Sequence, residues 1–132
     1  MRLGTDIIEI ERIKQAYARN PQIIRKILSP KELEFFELLQ NEQRQIEFLA
    51  GRFCVKEAYS KALGTGLIHP LKMAGISVLN DKTGRPVLSQ GPILDSVLLS
   101  ISHSHSVAMA TCLIDLSENE IKQSLLEKGF KL

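Results

Sequence analysis

From about Gln43 to Leu63 the sequence repeats apolar residues at spacings of three and four: Ile46, Leu49, Ala50, Phe53, Cys54 and Ala58. This period predicts one long helix with an apolar side, and Gly64 ends it, as glycine commonly does just past a helix terminus. No other stretch constrains the fold as much, because an apolar helix side has to be covered by the remaining elements. Upstream, Leu3–Ile10 mixes β-branched and apolar residues and reads as a strand. Glu11 to Ala18 favours helix, and Asn20-Pro21 breaks it before a further basic helical stretch. Ser29-Pro30-Lys31-Glu32 carries a capping box, which starts a helix running through Leu33, Phe36 and Leu39. Downstream, Ile76–Leu79 and Val87–Ser89 bracket a glycine-containing turn and predict a hairpin. Val97–Ser102 and Ser106–Ile114 read as two more strands, joined at Ser102-His-Ser-His105. Ser117 with Glu120 offers another capping box, for a helix in the tail. The expected fold class is α+β, a small antiparallel sheet packed with a long helix and shorter ones. Residues 1–132 are expected to form a single domain, with 115–132 as an appended helix.

Composition excludes several classes of function. A chain of 132 residues, 44% hydrophobic and 24% charged, is long enough to bury a core without staples. Apolar runs such as Val107–Ile114 are too short to span a bilayer, so no membrane role is expected. Met1-Arg-Leu-Gly-Thr-Asp6 reaches an acid too early for a secretory signal. Cys54 and Cys112 lack metal-ligand spacing and read as reduced core thiols, which suits a cytoplasmic protein. The net charge of +2 is unevenly spread. Arg12, Lys14, Arg19, Arg25, Lys26 and Lys31 fall in a stretch with no acid, and Glu32, Glu34, Glu37, Glu42 and Glu47 follow. That basic block is either a solvated helix face or a surface that steers a negatively charged partner. It lacks the aromatic interleaving of single-strand binders, so nucleic acid is not the expected partner.

Three residues break the folding pattern. Taking about 100° per residue from Ile46, Ala50 lies near 40°, Phe53 near 340° and Glu57 near 20°, so a carboxylate projects from the apolar side. Such a group needs a cation or donors. Lys61, one turn on, is either its surface ion-pair partner or half of a metal and phosphate site. Gly64-Thr65-Gly66 follows directly; it is either a plain helix stop or a loop whose backbone amides can approach a ligand. Asp6 sits in an apolar strand, where aspartate is disfavoured, and is either a strand-end cap or a second carboxylate for a hard cation. Mg²⁺ prefers oxygen ligands and bridges to phosphates, so Asp6 and Glu57 together could form a partial cage for it. His103 closes the run Val97-Leu-Leu-Ser-Ile-Ser102, as a structural residue, a phosphate donor or an orienting group. Nothing in the spacing singles out His105. No third soft ligand stands where zinc would need it, and no Walker loop, nucleophile elbow or dinucleotide fingerprint is present.

Taken in order, three stretches resemble the motifs of the holo-acyl-carrier-protein synthase branch of the phosphopantetheinyl transferases. They are Gly4-Thr-Asp6-Ile-Ile-Glu-Ile-Glu-Arg12-Ile, then Phe48-Leu-Ala-Gly-Arg52-Phe-Cys-Val-Lys56-Glu57-Ala-Tyr-Ser-Lys61-Ala-Leu-Gly64-Thr-Gly66, then Ser100-Ile-Ser-His103-Ser. The middle stretch is long and specific, and the resemblance runs from about residue 2 to 114. It implies a phosphopantetheinyl transferase fold and transfer of 4′-phosphopantetheine from coenzyme A to a serine of apo-acyl carrier protein, with 3′,5′-ADP released, for fatty acid biosynthesis. Asp6 and Glu57 match the carboxylates that hold Mg²⁺ against the diphosphate. Lys61 matches the lysine that contacts phosphate and assists the leaving group, and His103 the histidine at the coenzyme A site. Glu57, Lys61 and His103 are thus the implied catalytic residues, with Glu57 or a metal-held water taking the serine proton. Arg52, Gly64, Thr65, Gly66, Gly84, Arg85, Pro86 and Ser104 fall where the family touches the nucleotide half. The resemblance further implies a homotrimer with active sites between subunits. Arg12, Arg19, Ile23 and Lys26 lie on the surface that would dock the acidic helix of the carrier protein. Gln22 stands where relatives often carry a basic residue, which shifts the docking charge toward Arg25 and Lys26. The tail beyond Ile114 is longer than in many relatives.

Overall fold

The structure, a computed structural model, describes residues 1–132. The chain runs β1 (Arg2–Glu9), α1 (Ile10–Arg19), a 3₁₀ turn (Pro21–Ile23), α2 (Ile24–Ile27), α3 (Pro30–Leu38) and α4 (Glu42–Leu63). It continues through a second 3₁₀ turn (Met73–Gly75), β2 (Ser77–Asn80), β3 (Pro86–Gln90), β4 (Val97–His103), β5 (Val107–Ile114) and α5 (Glu118–Glu127). Strands β1, β5 and β4 form an antiparallel sheet in that order, and β2 and β3 form a separate hairpin. The central strand, Val-Ala-Met-Ala-Thr-Cys-Leu-Ile, is the most apolar of the three, as a strand paired on both edges should be.

Strand alternation decides which residues meet α4. Ala108, Ala110 and Cys112 of β5 point inward and are buried, and their pairing partners on β1 are Ile8, Asp6 and Gly4. Ala108, Ala110, Cys112 and Gly4 are small because the helix lies close. A methyl group on Gly4 would stand 2.0 Å from the Ala58 carbonyl oxygen and 2.7 Å from the Ala62 nitrogen. Glycine here is a packing requirement. On the other face Leu3, Ile7, Leu98 and Met109 remain exposed.

Helix α4 ends at Gly64 in the left-handed region, as expected. Its burial differs from the expectation of a single apolar side, because Gly51, Arg52, Val55, Lys56 and Tyr59 are buried as well. The chain covers both sides, with the sheet on one and α2, α3 and the hairpin on the other. Lys56 is buried without exposure. Its Nζ donates to Glu32 Oε1 at 2.5 Å, to the Ile27 carbonyl and, at 3.0 Å, to the Met73 carbonyl. Glu32 belongs to the capping box of α3 and also accepts from the Val78 backbone at 2.8 Å. This one ion pair ties α3, α4 and β2, and every partner is satisfied, which is the condition for burying charge.

Both capping boxes form, at Ser29/Glu32 and Ser117/Glu120. Helix α5 reaches into the same hydrophobic core as α4 through Ile121 and Leu125, and Phe130 just past its end is buried there too. The terminal ammonium of Met1 donates to the Leu116 carbonyl at 2.6 Å, which ties the N-terminus to the segment just before α5. No helix is long and apolar enough to cross a membrane. Both cysteines are free and buried.

Candidate active site

Asp6 is carried on the inner face of β1, opposite Ala110, and Glu57 and Lys61 lie one turn apart on α4, which crosses that face. The contact at Gly4 brings the two elements together at this point. Lys61 donates from Nζ to Asp6 Oδ1 at 3.1 Å and to the Thr5 carbonyl at 2.9 Å. Its ion pair is therefore with Asp6, and the alternative of a Glu57–Lys61 surface pair is not what forms. Glu57 takes part in no salt bridge. Partial burial raises its pKa, the negative charge of Asp6 raises it further, and Lys61 offsets part of the effect. Asp6 is thus close enough for its charge to oppose the ionisation of Glu57. Beneath them lies the Cys54 thiol, pushed up to about 12 by burial and then by the charges of Asp6 and Glu57. It donates to the Ala108 carbonyl at 3.4 Å and stays protonated at neutral pH, so it is no nucleophile.

This donor set suits a hard divalent cation. It consists of two carboxylate groups with mutually unfavourable charge, one of them lacking any cationic partner. No group of three or more His, Cys, Asp and Glu side chains converges, so the protein does not build a closed metal cage. Remaining ligands would come from water and substrate oxygens, the usual arrangement for Mg²⁺ on phosphates. Lys61, with 53% of its side chain exposed, adds a mobile cation at the edge.

The glycine loop forms, and its amides are already committed. The backbone N–H groups of Gly64, Thr65 and Gly66 donate to the Ser60 carbonyl at 3.0, 3.2 and 3.3 Å. The loop therefore caps α4, and what it presents outward is its glycine backbone. Gly66 has φ of 67° and nothing within 4 Å of a hypothetical Cβ.

The other nucleotide-site candidates lie elsewhere on the chain. Arg52 is 6% exposed, with Nε donating to the Val78 carbonyl and Nη2 to Asn80 Oδ1, both at 3.1 Å. Its guanidinium sits over the Phe48 ring, 4.4 Å from the centroid. Arg52 and His103 line one cleft of about 410 Å³ with Phe48, Gly51, Asn80 and Ile101. His103 is exposed at the end of β4, where it pairs with Ala108, while Asp6 pairs with Ala110. Two strands and two residues of offset put them roughly 12 Å apart along the sheet. Ser104 builds the β4–β5 turn, its Oγ accepting from the Ser106 and Val107 backbones. Gly84, Arg85 and Pro86 sit at the β2–β3 turn, organised by Asp81, which accepts from Thr83 and Arg85. None of that turn's hydrogen bonds or ion pairs reaches β1 or α4. Within one chain the candidates thus fall into separate groups, with Asp6, Glu57 and Lys61 drawn together in one and Arg52 and His103 in another.

Arg12, Lys14, Arg19, Arg25 and Lys26 are exposed on α1 and α2 and form no ion pair, while Ile23 is half-buried against the core. Gln22 accepts from Arg25 Nε at 3.1 Å. Spacing places Cys54 in the core, where it lies, and gives no sign of the Glu32–Lys56 pair. Composition gives no signal either: Phe48 to Leu63 carries Arg52, Lys56, Glu57 and Lys61, and nothing along α4 alone marks which of these charges is buried.

Residues 2–112 match the model of the 4′-phosphopantetheinyl transferase superfamily. The chain is 46% identical over 112 residues to the holo-[acyl-carrier-protein] synthase of Streptococcus thermophilus, covering 85% of this chain and 92% of that protein. It is 43% identical over 115 residues to the enzyme of the same name from Staphylococcus aureus, covering 87% and 95%. The crystal structure of a holo-(acyl-carrier-protein) synthase from Bacillus anthracis, in complex with CoA (3′,5′-ADP), superposes with a TM-score of 0.77 at 38% identity, over 88% of this chain and 96% of that one.

Proposed function

This chain belongs to the 4′-phosphopantetheinyl transferase superfamily, and from that premise we propose that it has the activity of a holo-[acyl-carrier-protein] synthase. It moves the 4′-phosphopantetheine group of coenzyme A onto a serine of apo-acyl carrier protein in fatty acid biosynthesis. The serine oxygen forms a bond to the β-phosphorus, the diphosphate bridge breaks, and 3′,5′-ADP leaves.

The observation that carries this reading is the meeting of Asp6 and Glu57 beside Lys61. Mg²⁺ bound by these two carboxylates would neutralise the diphosphate and polarise its phosphorus. Lys61 turns from Asp6 toward the phosphate that departs, and stabilises the charge that develops on it. Glu57, or a water held by the metal it binds, would accept the serine proton. Arg52 and His103 bind the nucleotide side from their shared cleft, and Gly64, Thr65 and Gly66 let substrate approach the end of α4. Gly84, Arg85, Pro86 and Ser104 complete that side.

The distance between these groups in one chain supports active sites formed between subunits of a homotrimer. The exposed apolar face of Leu3, Ile7, Leu98 and Met109 supports the same reading, since unpaired apolar sheet faces are covered in assemblies. The carrier protein docks on Arg12, Arg19, Ile23 and Lys26, where free cations meet an acidic helix. The chain works in the cytoplasm, where coenzyme A and reduced thiols such as Cys54 and Cys112 belong. Incubation with coenzyme A, Mg²⁺ and apo-carrier protein tests the proposal: the carrier gains the mass of phosphopantetheine, and an unchanged carrier mass would refute it.

A further inference from the structure

We propose that Arg2 is a positioning residue of the transfer site, aimed by Glu118 of the C-terminal helix, and that it holds the register of β1 against the end of α4. The proposal rests on the functional reading above and assigns a task to the tail.

The last carbonyls of a helix have no intrahelical donor and need partners. In α4 the Ser60 carbonyl takes the loop amides of Gly64, Thr65 and Gly66, and the Lys61 carbonyl takes the Gly64 amide as well. The Leu63 carbonyl takes Nη1 of Arg2 at 2.5 Å, from a strand 61 residues earlier. A guanidinium at this end also meets the negative pole of the helix. Its seat over the loop is tight, since a Cβ on Gly64 would lie 2.8 Å from Nη1. The opposite edge of the guanidinium is gripped by Glu118, Nε to Oε1 at 2.9 Å and Nη2 to Oε2 at 2.6 Å. That bidentate fork fixes the plane of the arginine, which a single contact would leave free to turn.

Arg2 and Leu63 are the outermost of three ties between β1 and α4. The second is the close approach of Gly4 to Ala58 and Ala62, and the third is Lys61 on Thr5 and Asp6. Sliding β1 along α4 would change the separation of Asp6 and Glu57 and pull on the glycine loop. Positions in such a site must hold to a fraction of an ångström. The competing account is a surface ion pair, and Glu118 is 63% exposed. That account leaves the part-buried contact with the Leu63 carbonyl without consequence, and here the two separate.

The test compares the full-length wild type with R2M, E118Q, the reversed pair R2E/E118R, and I46V as a core control remote from the tail. Steady-state transfer kinetics are read with amide hydrogen exchange of the 60–67 segment in the absence of coenzyme A and Mg²⁺. R2M raises the KM for coenzyme A about tenfold, the equivalent of roughly 1.4 kcal/mol. It leaves the KM for carrier protein unchanged and speeds exchange at Gly64–Gly66. E118Q moves both readouts in the same direction by less, and serves if R2M fails to fold. R2E/E118R regains the ion pair without a donor for Leu63, so its KM stays raised. I46V lowers the melting temperature and moves neither readout. Wild-type KM and exchange in R2M, or a return to wild-type KM in the reversed pair, would overturn the proposal. A wild-type protein without transfer would sink the functional reading instead, and the exchange data would still test the tie.

Discussion

Lys61 and Asp6, 55 residues apart in sequence, are joined by a 3.1 Å ion pair in which the carboxylate is largely covered and the lysine is half in solvent. The asymmetry has a chemical use. On the proposed reading, Asp6 is held in place for the metal, while the ammonium on its flexible stem would leave for a phosphate and return.

Replacing Lys61 with Met keeps the stem and removes the charge. The chain folds, because an exposed pair contributes little stability. Transfer slows by about 10²–10³ in kcat, the usual cost of losing one preorganised donor at a developing charge. Single-turnover rates with saturating coenzyme A check this, and a rate within a few-fold of wild type would remove Lys61 from the chemistry.

Glu57 predicts a pH dependence of stability. Its folded pKa is raised, so the folded state binds more protons than the unfolded one above the ordinary carboxylate range. The stability it contributes is fully present below the ordinary value of 4.5 and is lost as pH rises through the folded pKa. In EDTA, E57Q therefore melts higher than wild type at pH 7, and the gap closes as pH falls below that value. Added Mg²⁺ raises the melting temperature of wild type and not of E57Q. Thermal scans from pH 3 to 8 read both effects.

Much of the fold can be traced in the residues. The capping boxes at Ser29 and Ser117, the stop at Gly64 and the turn at Gly84 are local signals, each with its own stereochemistry, and each appears where its residues stand. Lys56 could not be traced in this way. Its burial depends on Glu32, Ile27 and Met73, which come from three other segments, and periodicity along one helix carries no information about them. Asp6 and Glu57 stood out because each violates its element's pattern, whereas the distance from Asp6 to His103 depends on strand order. Gly64-Thr65-Gly66 was legible as a helix stop, and its amides do cap α4, whereas the sequence could not say whether those amides stay free for a ligand.

Truncating Lys56 to Met leaves Glu32 buried beside Arg52, whose guanidinium is 3.9 Å from it and already bonded to Val78 and Asn80. The loss is about 3–5 kcal/mol, as for other broken buried pairs. Denaturant unfolding measures it, and a loss under 1 kcal/mol, about what an exposed pair contributes, would mean that water reaches the pair.

Adding a methyl at Gly4 forces β1 away from the backbone of α4. G4A costs about 1–3 kcal/mol or more from overpacking, and it reduces transfer by displacing Asp6. Unfolding and activity together check this. A stable, fully active G4A would show that strand and helix have room to spare.

Charge reversal at Arg12 or Arg19 raises the KM for carrier protein and leaves coenzyme A binding alone, and wild-type KM for the carrier rises with salt as exposed charges are screened. Equal loss of affinity for both substrates would assign these arginines to a different surface.

The most direct measurement is the mass of the carrier protein after incubation with coenzyme A across a Mg²⁺ titration, using wild type, D6N and E57Q. The account predicts a Mg²⁺-dependent gain of phosphopantetheine with wild type and almost none with either variant, both remaining folded. Transfer at near wild-type rate by D6N or E57Q would contradict it.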